Sequence, residues 1–358
     1  MALDIFVLTV SLTILNSTIH FKTGTANCRP FQDSSSYDPQ DVAGTTGCRD
    51  ISLPDGSDAC WEPLVEDNGK GYFTRQEHVS PHIGTKAIPR VLSPQDVQQR
   101  QASPPSYDYE SELQDLFDRV VELTDEQKML IEFGDDKIAV AKFLVVGILQ
   151  NFGLVSLGGL LTYEQIIWYL VGYTATEVDS VITVWNEKVR HNLIRPTTVA
   201  QRLQPTAKVE TYVNGYDVPQ TIDRADFQPY IRVMPHAEYP SGSSCLFGAA
   251  EEWTDLALSF LLPGVYNRNI FPLAQPFAAG SSKVEPGVTP AQDLTLEYPN
   301  MLDFILAGGQ SRLDGGMHFF EAVPAGIALC SGIGEAVFAE AVKLLGNNGN
   351  NGNGNTAW

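Results

Sequence analysis

Lys188 and Arg195 are the first pair of residues whose types and spacing could act together on a ligand. They lie seven positions apart in the stretch KVRHNLIRP. That is two helical turns less about 20°, so both cationic ends lie on one helix face, roughly 10 Å apart along the axis. Pro196 stops the helix and frees Arg195 from regular helical geometry. The pair could bind one anion, although a Lys and an Arg on one helix most often form a solvated face.

A second segment, Pro240-Ser241-Gly242-Ser243, precedes an apolar helix. Such an arrangement offers the Ser241 hydroxyl and unpaired backbone amides at a helix N-terminus to an oxyanion. The alternative is that Ser241 is an ordinary N-cap, which the tetrapeptide alone would favour.

The third segment is SRLDGGMHFFEA, which contains Arg312 and His318. A guanidinium is a planar fork that can bind two oxygens, and Gly315 and Gly316 allow a sharp turn. His318 then presents an imidazole near the start of the last long helical region. A single histidine in such a place is more often structural.

Together the three segments resemble the signatures of the superfamily of vanadium-dependent haloperoxidases and type 2 phosphatidic acid phosphatases. Those signatures are Lys, six residues, Arg-Pro; Pro-Ser-Gly-His; and Ser-Arg, three residues, Gly, one residue, His. The stretches CWEPL, VSPHIGTKAIP, LTDEQKMLIEFGDD and DFQPYIRVMPHAEYPSG resemble connecting segments of soluble haloperoxidases. The resemblance therefore spans about residues 60 to 345, and it implies an all-α helical bundle with vanadate at its centre.

The resemblance also implies roles for individual residues. The equatorial oxygens of vanadate would be bound by five groups: Lys188, Arg195, Ser241, the Gly242 amide and Arg312. A ring nitrogen of His318 would bond the metal axially, and Asp136 in EFGDD is a candidate to pair with Arg312. Several cations and directed N–H groups are what a highly charged oxyanion needs when it leaves water, and phosphate could compete for the same site.

In the haloperoxidase branch of the superfamily, hydrogen peroxide and a halide react at the vanadate and give a hypohalous-acid equivalent that halogenates organic acceptors. In the phosphatase branch, the histidine matching His318 attacks phosphorus, and the histidine of Pro-Ser-Gly-His protonates the leaving group.

This sequence departs from the family at that second histidine, because Ser243 stands in its place. A serine hydroxyl titrates far above pH 7 and cannot shuttle protons near neutrality. The nearest titratable replacement is His236, at a position where chloroperoxidases have phenylalanine and algal bromoperoxidases have histidine. If His236 took over, activity should show an ionisation where imidazole titrates, roughly pH 5 to 8. The alternative is that His236 is a hydrogen-bonded loop residue.

Three functions follow from these residues. We expect a vanadium bromo- or iodoperoxidase, with Lys188, His236, Ser243 and His318 around the reacting atoms. A phosphate-ester hydrolase is the second candidate, and the loss of the leaving-group acid counts against it. The third is a non-halogenating member, either a rearrangement catalyst or a protein that binds vanadate or phosphate without turnover.

The composition agrees with a globular protein, because 43% of the 358 residues are hydrophobic and 18% are charged. A net charge of −20 disfavours binding to nucleic acid or to anionic membranes. Apolar residues recur at helical spacing between Tyr107 and Leu345, which predicts a mainly helical domain. The resemblance implies that this domain is a bundle of the haloperoxidase/acid phosphatase type. The run from Phe143 to Leu161 is nearly long enough to span a bilayer, but its central amides and glycines favour a buried helix instead of a membrane span. A homo-oligomer is compatible with the sequence.

The remaining segments define the predicted organisation of the chain. Residues 1–26 resemble a secretory signal peptide, which places the protein in an extracytoplasmic compartment. Residues 27–105 predict an irregular arm wrapped on the core, 106–345 the catalytic domain and 346–358 a disordered Asn/Gly tail. Of the five cysteines, Cys28, Cys48 and Cys60 lie in loop-like sequence and are expected to form disulfides, whereas Cys245 and Cys330 are expected to be buried thiols.

Overall fold

Helices form where apolar residues recur at helical spacing, so the all-α prediction is confirmed. The computed structural model describes residues 48–67, 71–213 and 218–348. Within these residues the chain forms eleven α-helices: α1 Ile83–Lys86, α2 Pro94–Gln99, α3 Tyr109–Val120, α4 Asp125–Asp135, α5 Lys137–Phe152, α6 Tyr163–His191, α7 Pro196–Arg202, α8 Gly242–Leu261, α9 Met301–Asp314, α10 Ala322–Cys330 and α11 Ile333–Asn348. The predicted signal peptide and Cys28 lie outside the described residues. Three residues of the predicted tail belong to α11, and the rest of that tail also lies outside them.

Six short strands form three antiparallel pairs, the first before α1 and the other two in connections between helices. They are β1 Val65–Asp67 with β2 Phe73–Arg75, β3 Lys208–Thr211 with β4 Gln220–Asp223, and β5 Leu273–Phe277 with β6 Leu294–Tyr298. The strands are three to five residues long. Segments of this length contain too few alternations to give a strand signal in the sequence.

Helices α6 and α8 form the centre of the bundle. Helix α6 begins with a capping box between Thr162 and Gln165 and ends at Asn192, whose φ of 48° is left-handed. The two helices approach closely at Gly172, where an added Cβ would lie 1.9 Å from the ring of Trp253. Trp253 is fully buried in the main apolar core. The close approach aligns the C-terminal end of α6 with the N-terminal end of α8, where the predicted anion-binding residues lie.

The apolar run from Phe143 to Leu161 is helical only in its first part. Helix α5 ends at Phe152, and Gly153 follows with a φ of 63°. A Cβ on Gly159 would lie 2.4 Å from the carbonyl carbon of Gly153, so the two glycines permit a tight loop there. The prediction of one buried helix through Leu161 is therefore wrong for the second part of the run.

Two disulfides crosslink the described chain. Cys48 pairs with Cys60, as expected for cysteines in loop-like sequence. Cys245 pairs with Cys330, with their Cα atoms 5.1 Å apart, so the expectation of two buried thiols is wrong. Both residues are fully buried on the apolar faces of α8 and α10, and apolar surroundings suit a disulfide as well as a thiol. Nothing in the sequence reveals that the two faces meet.

The stretch Ala322–Leu345 is the one described segment with the length and composition of a membrane span. It folds as two helices, α10 and α11, separated by Gly332 with a φ of 80°. The Cys245–Cys330 disulfide ties the end of α10 to α8, and this stretch completes the packing around α8.

The N-terminal arm is anchored on α6 by the buried carboxylate of Asp179. Its oxygens accept hydrogen bonds from the backbone N–H groups of Arg90, Val91 and Leu92 at 2.5, 2.9 and 2.8 Å. Closer to the N-terminus, the N–H of Trp61 in the same arm donates to the Asn192 carbonyl at 2.7 Å. These contacts hold the arm beside the C-terminal end of α6.

Candidate active site

The three predicted segments meet at one buried place in the bundle. Lys188 lies in the last turn of α6, and Arg195 is the N-cap of α7, with Pro196 as its first residue. The expectation that both lie on one helix face up to Pro196 is wrong, because α6 ends at His191 and Arg195 lies beyond it. Ser241 is the N-cap of α8, and Arg312 lies in the last turn of α9. All four of these residues are at most 1% exposed. The turn expected at the glycines is present, because Gly316 has a φ of 70°, and it leads the chain back to His318.

The Lys188 ammonium is held against the segment that precedes α8. Its Nζ donates to the carbonyls of Ala237 and Glu238, both at 2.9 Å, which leaves one N–H for another acceptor. Burial, followed by the neighbouring Arg195 charge, lowers the pKa of Lys188 well below its usual range. A Cβ on Gly242 would lie 3.4 Å from Lys188 Cε. A side chain at Gly242 would therefore pack directly against the lysine at ordinary van der Waals distance.

Arg195 joins the three segments through its guanidinium. Its Nε donates to the His236 carbonyl and its Nη1 to the Met317 carbonyl, both at 2.8 Å. The Nη2 atom lies 3.0 Å from His236 Nδ1. Burial lowers the pKa of Arg195 to about 10, so it stays charged at neutral pH.

Arg312 has buried donors that the protein leaves unsatisfied. Its Nη2 lies 3.3 Å from an oxygen of Asp135, whereas Nε and Nη1 have no hydrogen-bond partner in the described part of the chain. Buried N–H groups are seldom left unpaired, so these two point to a ligand.

The expectation that Asp136 pairs with Arg312 is wrong by one residue. Asp135 is the last residue of α4, whereas Asp136 is the N-cap of α5 and accepts from the Ala139 N–H at 3.0 Å. The Asp136 carboxylate also pairs with Lys283 at 3.2 Å. The break between two helices turns adjacent carboxylates in different directions, which the sequence alone does not specify.

His318 forms a buried pair with Glu238, a residue that the sequence did not single out. His318 Nδ1 lies 2.8 Å from Glu238 Oε1, and Glu238 is fully buried. Burial raises the pKa of Glu238 to about 7. Burial, followed by the charges of Arg195 and Lys188, lowers the pKa of His318 well below its usual range, so its imidazole is neutral.

His236 is packed among aromatic rings on the other side of Arg195. Its ring centroid lies 4.9 Å from that of Trp185 and 6.4 Å from that of His78. His236 Nδ1 lies 3.0 Å from Arg195 Nη2 and 3.2 Å from the Ala237 carbonyl oxygen. Because Arg195 can only donate and makes the shorter contact, Nδ1 is the acceptor, and the neutral ring carries its proton on Nε2. Burial and the Arg195 charge lower the pKa of His236 well below its usual range. An ionisation of His236 between pH 5 and 8, expected from the sequence, is inconsistent with this environment.

The charges of the site are unbalanced. Lys188, Arg195 and Arg312 are buried around one buried carboxylate, Glu238, while the Asp135 side chain is 44% exposed. Buried cations without partners are costly, and an anion in their midst would remove much of that cost. The spare donors of Arg312 and the N-terminal end of α8 at Gly242 fit a tetrahedral oxyanion such as vanadate or phosphate.

The comparisons with known proteins agree with this geometry. A family model described as the VCPO second helical-bundle domain matches residues 169–347, half of the chain. The chain belongs to the vanadium haloperoxidase family. The matched segment contains all three of the sequence signatures.

Solved structures of vanadium haloperoxidases share the fold. A holo-type bacterial vanadium-dependent chloroperoxidase aligns with a TM-score of 0.73 at 20% identity, over 93% of this chain and 70% of its own. The apo-type bacterial enzyme aligns with a TM-score of 0.77 at 19% identity, over 94% and 72%. A bacterial vanadium-dependent iodoperoxidase aligns with a TM-score of 0.54 at 18% identity, over 81% and 61%. No curated protein sequence matches the chain significantly.

Ser243 remains the main departure of this chain from the family signature. It is half-buried in the first turn of α8, and its side chain makes no hydrogen bond within the described residues. Ser241 caps the helix by accepting from the Ser244 N–H at 3.4 Å, and its hydroxyl lies 2.9 Å from that of Ser244. The N-cap interpretation of Ser241 is therefore correct, and it leaves the Gly242 N–H at the open end of the helix.

Proposed function

We propose that this chain is a vanadate-dependent haloperoxidase that oxidises bromide or iodide with hydrogen peroxide to a hypohalous-acid equivalent, which halogenates small organic acceptors. The observation that carries the proposal is the set of buried cations with spare donors: Lys188, Arg195 and Arg312. Family membership supports the same conclusion.

Each residue would have a defined part in holding the anion. The remaining N–H of Lys188, the free N–H groups of Arg312 and the guanidinium of Arg195 would bind vanadate oxygens, together with Ser241 and the Gly242 amide. His318 would bond the metal through the nitrogen that does not face Glu238. Bound vanadate supplies a Lewis acid that activates hydrogen peroxide toward halide without a change in oxidation state. The surrounding protein excludes water and fixes the charges that oppose the anion.

His236 supports bromide or iodide as the halide. By the resemblance to the family, His236 occupies a position where chloroperoxidases have phenylalanine and algal bromoperoxidases have histidine. Its Nε2–H is a donor beside the Trp185 ring, and a polarisable anion could pack there against both.

Proton transfer is the step for which this site is least equipped. Hydrogen peroxide must lose a proton as it binds, and neither Ser243 nor the neutral, Arg195-bound His236 is a base suited to pH 7. We therefore expect slower turnover than an imidazole at position 243 would give, with water carrying the proton.

Two other functions would use the same residues. The site binds a tetrahedral oxyanion by charge and hydrogen bonds, which phosphate shares with vanadate, so a phosphate-ester hydrolase is the second candidate. The loss of the leaving-group acid at Ser243 would harm that reaction most. A vanadate- or phosphate-binding homologue without halogenation is the third.

The same proposal includes an extracytoplasmic location for the protein. Disulfides persist in oxidising compartments, so Cys48–Cys60 and Cys245–Cys330 support a secreted or other extracytoplasmic protein. The substrates would be hydrogen peroxide, a halide and a small organic molecule.

The deciding experiment compares the candidate reactions on one preparation. Vanadate-free protein is incubated with orthovanadate and assayed for peroxide-dependent bromination beside phosphate-ester hydrolysis, with His318→Ala as the matched control. Vanadate-dependent bromination that His318→Ala abolishes is the expected result. Phosphate-ester hydrolysis without bromination would favour the phosphatase, and neither activity would favour the non-halogenating homologue.

A further inference from the structure

We propose that Glu238 is a positioning residue for His318, fixing the ring so that the Nε2 lone pair, not an N–H, faces the bound anion. This inference rests on the proposed function, because it takes His318 Nε2 as the nitrogen that would bond vanadate. It concerns a residue to which no sequence signature assigns a role.

The carboxylate of Glu238 is fixed at both of its oxygens. Oε1 lies 2.8 Å from His318 Nδ1 and accepts from the Phe319 N–H at 3.2 Å. Oε2 accepts from the Tyr107 hydroxyl at 3.1 Å. The side chain is fully buried, so few other rotamers are open to it.

The backbone of Glu238 is held as firmly as its side chain. Its N–H donates to the Leu193 carbonyl at 2.9 Å, and its own carbonyl accepts from Lys188 Nζ at 2.9 Å. One residue therefore connects the loop after α6, the lysine and the histidine. A shift of Glu238 would move both of the side chains that it contacts.

The tautomer of His318 follows from the chemistry of the pair. Both Glu238 oxygens accept from other protein donors, and an ionised carboxylate only accepts hydrogen bonds. When Glu238 is ionised, Nδ1 is therefore the donor, and a neutral imidazole then has a lone pair on Nε2. Nε2 makes no hydrogen bond to any described residue. A histidine that bonds a metal needs this arrangement, and an outer carboxylate also raises the basicity of the ligating nitrogen.

Glu112 provides a matched control for the contacts of Glu238. Its Oε2 accepts from the Phe320 N–H at 3.1 Å, one residue beyond the Phe319 N–H that Glu238 binds. No hydrogen bond or ion pair joins Glu112 to His318 within the described residues. Glu112→Gln therefore removes a carboxylate that supports the same segment and leaves the Glu238–His318 pair unchanged.

The test uses the full chain with and without orthovanadate. The His318 tautomer is assigned by nitrogen NMR of histidine-labelled, vanadate-free protein at about pH 8.5, above the pKa of Glu238. His318→Asn identifies the resonance. Orthovanadate affinity is measured by calorimetry on wild type, Glu238→Ala, Glu238→Gln and Glu112→Gln.

Wild type should have the proton on Nδ1. Glu238→Ala should populate both tautomers and lose about 10- to 100-fold in vanadate affinity. Glu238→Gln should keep the tautomer and part of the affinity, because its amide oxygen can still accept the proton, and Glu112→Gln should match wild type. The conservative variant also keeps the test decisive if Glu238→Ala does not fold.

Two outcomes would overturn the inference: an Nε2–H tautomer in wild type, or unchanged vanadate affinity in folded Glu238→Ala. Failure of wild type to bind orthovanadate at all would instead refute the proposed function. The tautomers of the vanadate-free variants would still decide whether Glu238 orients the ring.

Discussion

Replacing Arg312 with methionine should stabilise the vanadate-free protein and abolish its response to vanadate. The side chain is 1% exposed, and its Nε and Nη1 are unpaired among the described residues. A buried donor left unpaired costs about 1–3 kcal/mol. The bond lost to Asp135 is long, at 3.3 Å to a carboxylate that is 44% exposed, and contributes about 1 kcal/mol or less. Methionine fills a similar volume, so we expect a net gain of about 1–4 kcal/mol in the free energy of unfolding.

The assay is urea unfolding followed by circular dichroism, with and without orthovanadate. At a free concentration 100 times the Kd, wild type should gain about 2.7 kcal/mol from ligand binding, and Arg312→Met should gain nothing. Arg100→Met is the matched control, because Arg100 Nη1 is satisfied by the carbonyls of Leu329 and Ser331 at 3.2 and 2.6 Å. That variant should lose about 1 kcal/mol of stability and keep the response. An Arg312→Met protein that is less stable than wild type and still responds to vanadate would refute the reasoning.

Three further predictions concern single side chains near the site. Ser243→His should increase peroxide-dependent bromination, or phosphate-ester hydrolysis if that is the activity; a variant that binds vanadate normally and gains neither would show that the serine is not simply a lost proton shuttle. His236→Ala should lower the bromination rate. The variant should keep any ionisation of the rate between about pH 5 and 8, because burial and the Arg195 charge hold the His236 pKa well below that range. Loss of such an ionisation would contradict the assignment. His78 has a pKa lowered, mainly by burial, from 6.5 to about 3. Between these two pH values the unfolded state binds more protons than the folded state, so stability should fall as the pH is lowered, by up to about 1.4 kcal/mol per unit. His78→Gln should flatten this acid dependence of urea unfolding, and equal slopes for the two proteins would count against the burial of a neutral ring.

The anion-binding residues could be predicted from the sequence because local rules fix them. Lys188 lies in a strongly helical segment, Pro196 is a typical first residue of a helix and so marks Arg195 as an N-cap, and glycine permits the turn before His318. Each of these features depends on a few neighbouring residues. That the three segments meet at one site was predicted from the resemblance to a known family and not from any local rule.

The features that the sequence did not reveal depend on contacts between distant segments. Asp135, and not Asp136, meets Arg312 because the break between α4 and α5 sets the direction of each carboxylate. Cys245 meets Cys330 because α8 packs on α10. Glu238 lies inside the quoted HAEYPSG stretch, but its role depends on a histidine 80 residues later. A glutamate immediately before Tyr-Pro-Ser-Gly was the sequence signal that could have identified it.

The most direct test of the central claim is a crystal structure of the protein soaked in orthovanadate. We expect one tetrahedral or trigonal oxyanion within hydrogen-bond distance of Lys188, Arg195 and Arg312, with His318 Nε2 bonded to the metal. An empty site at saturating orthovanadate, or an anion bound elsewhere while His318 Nε2 donates to a protein group, would contradict the account.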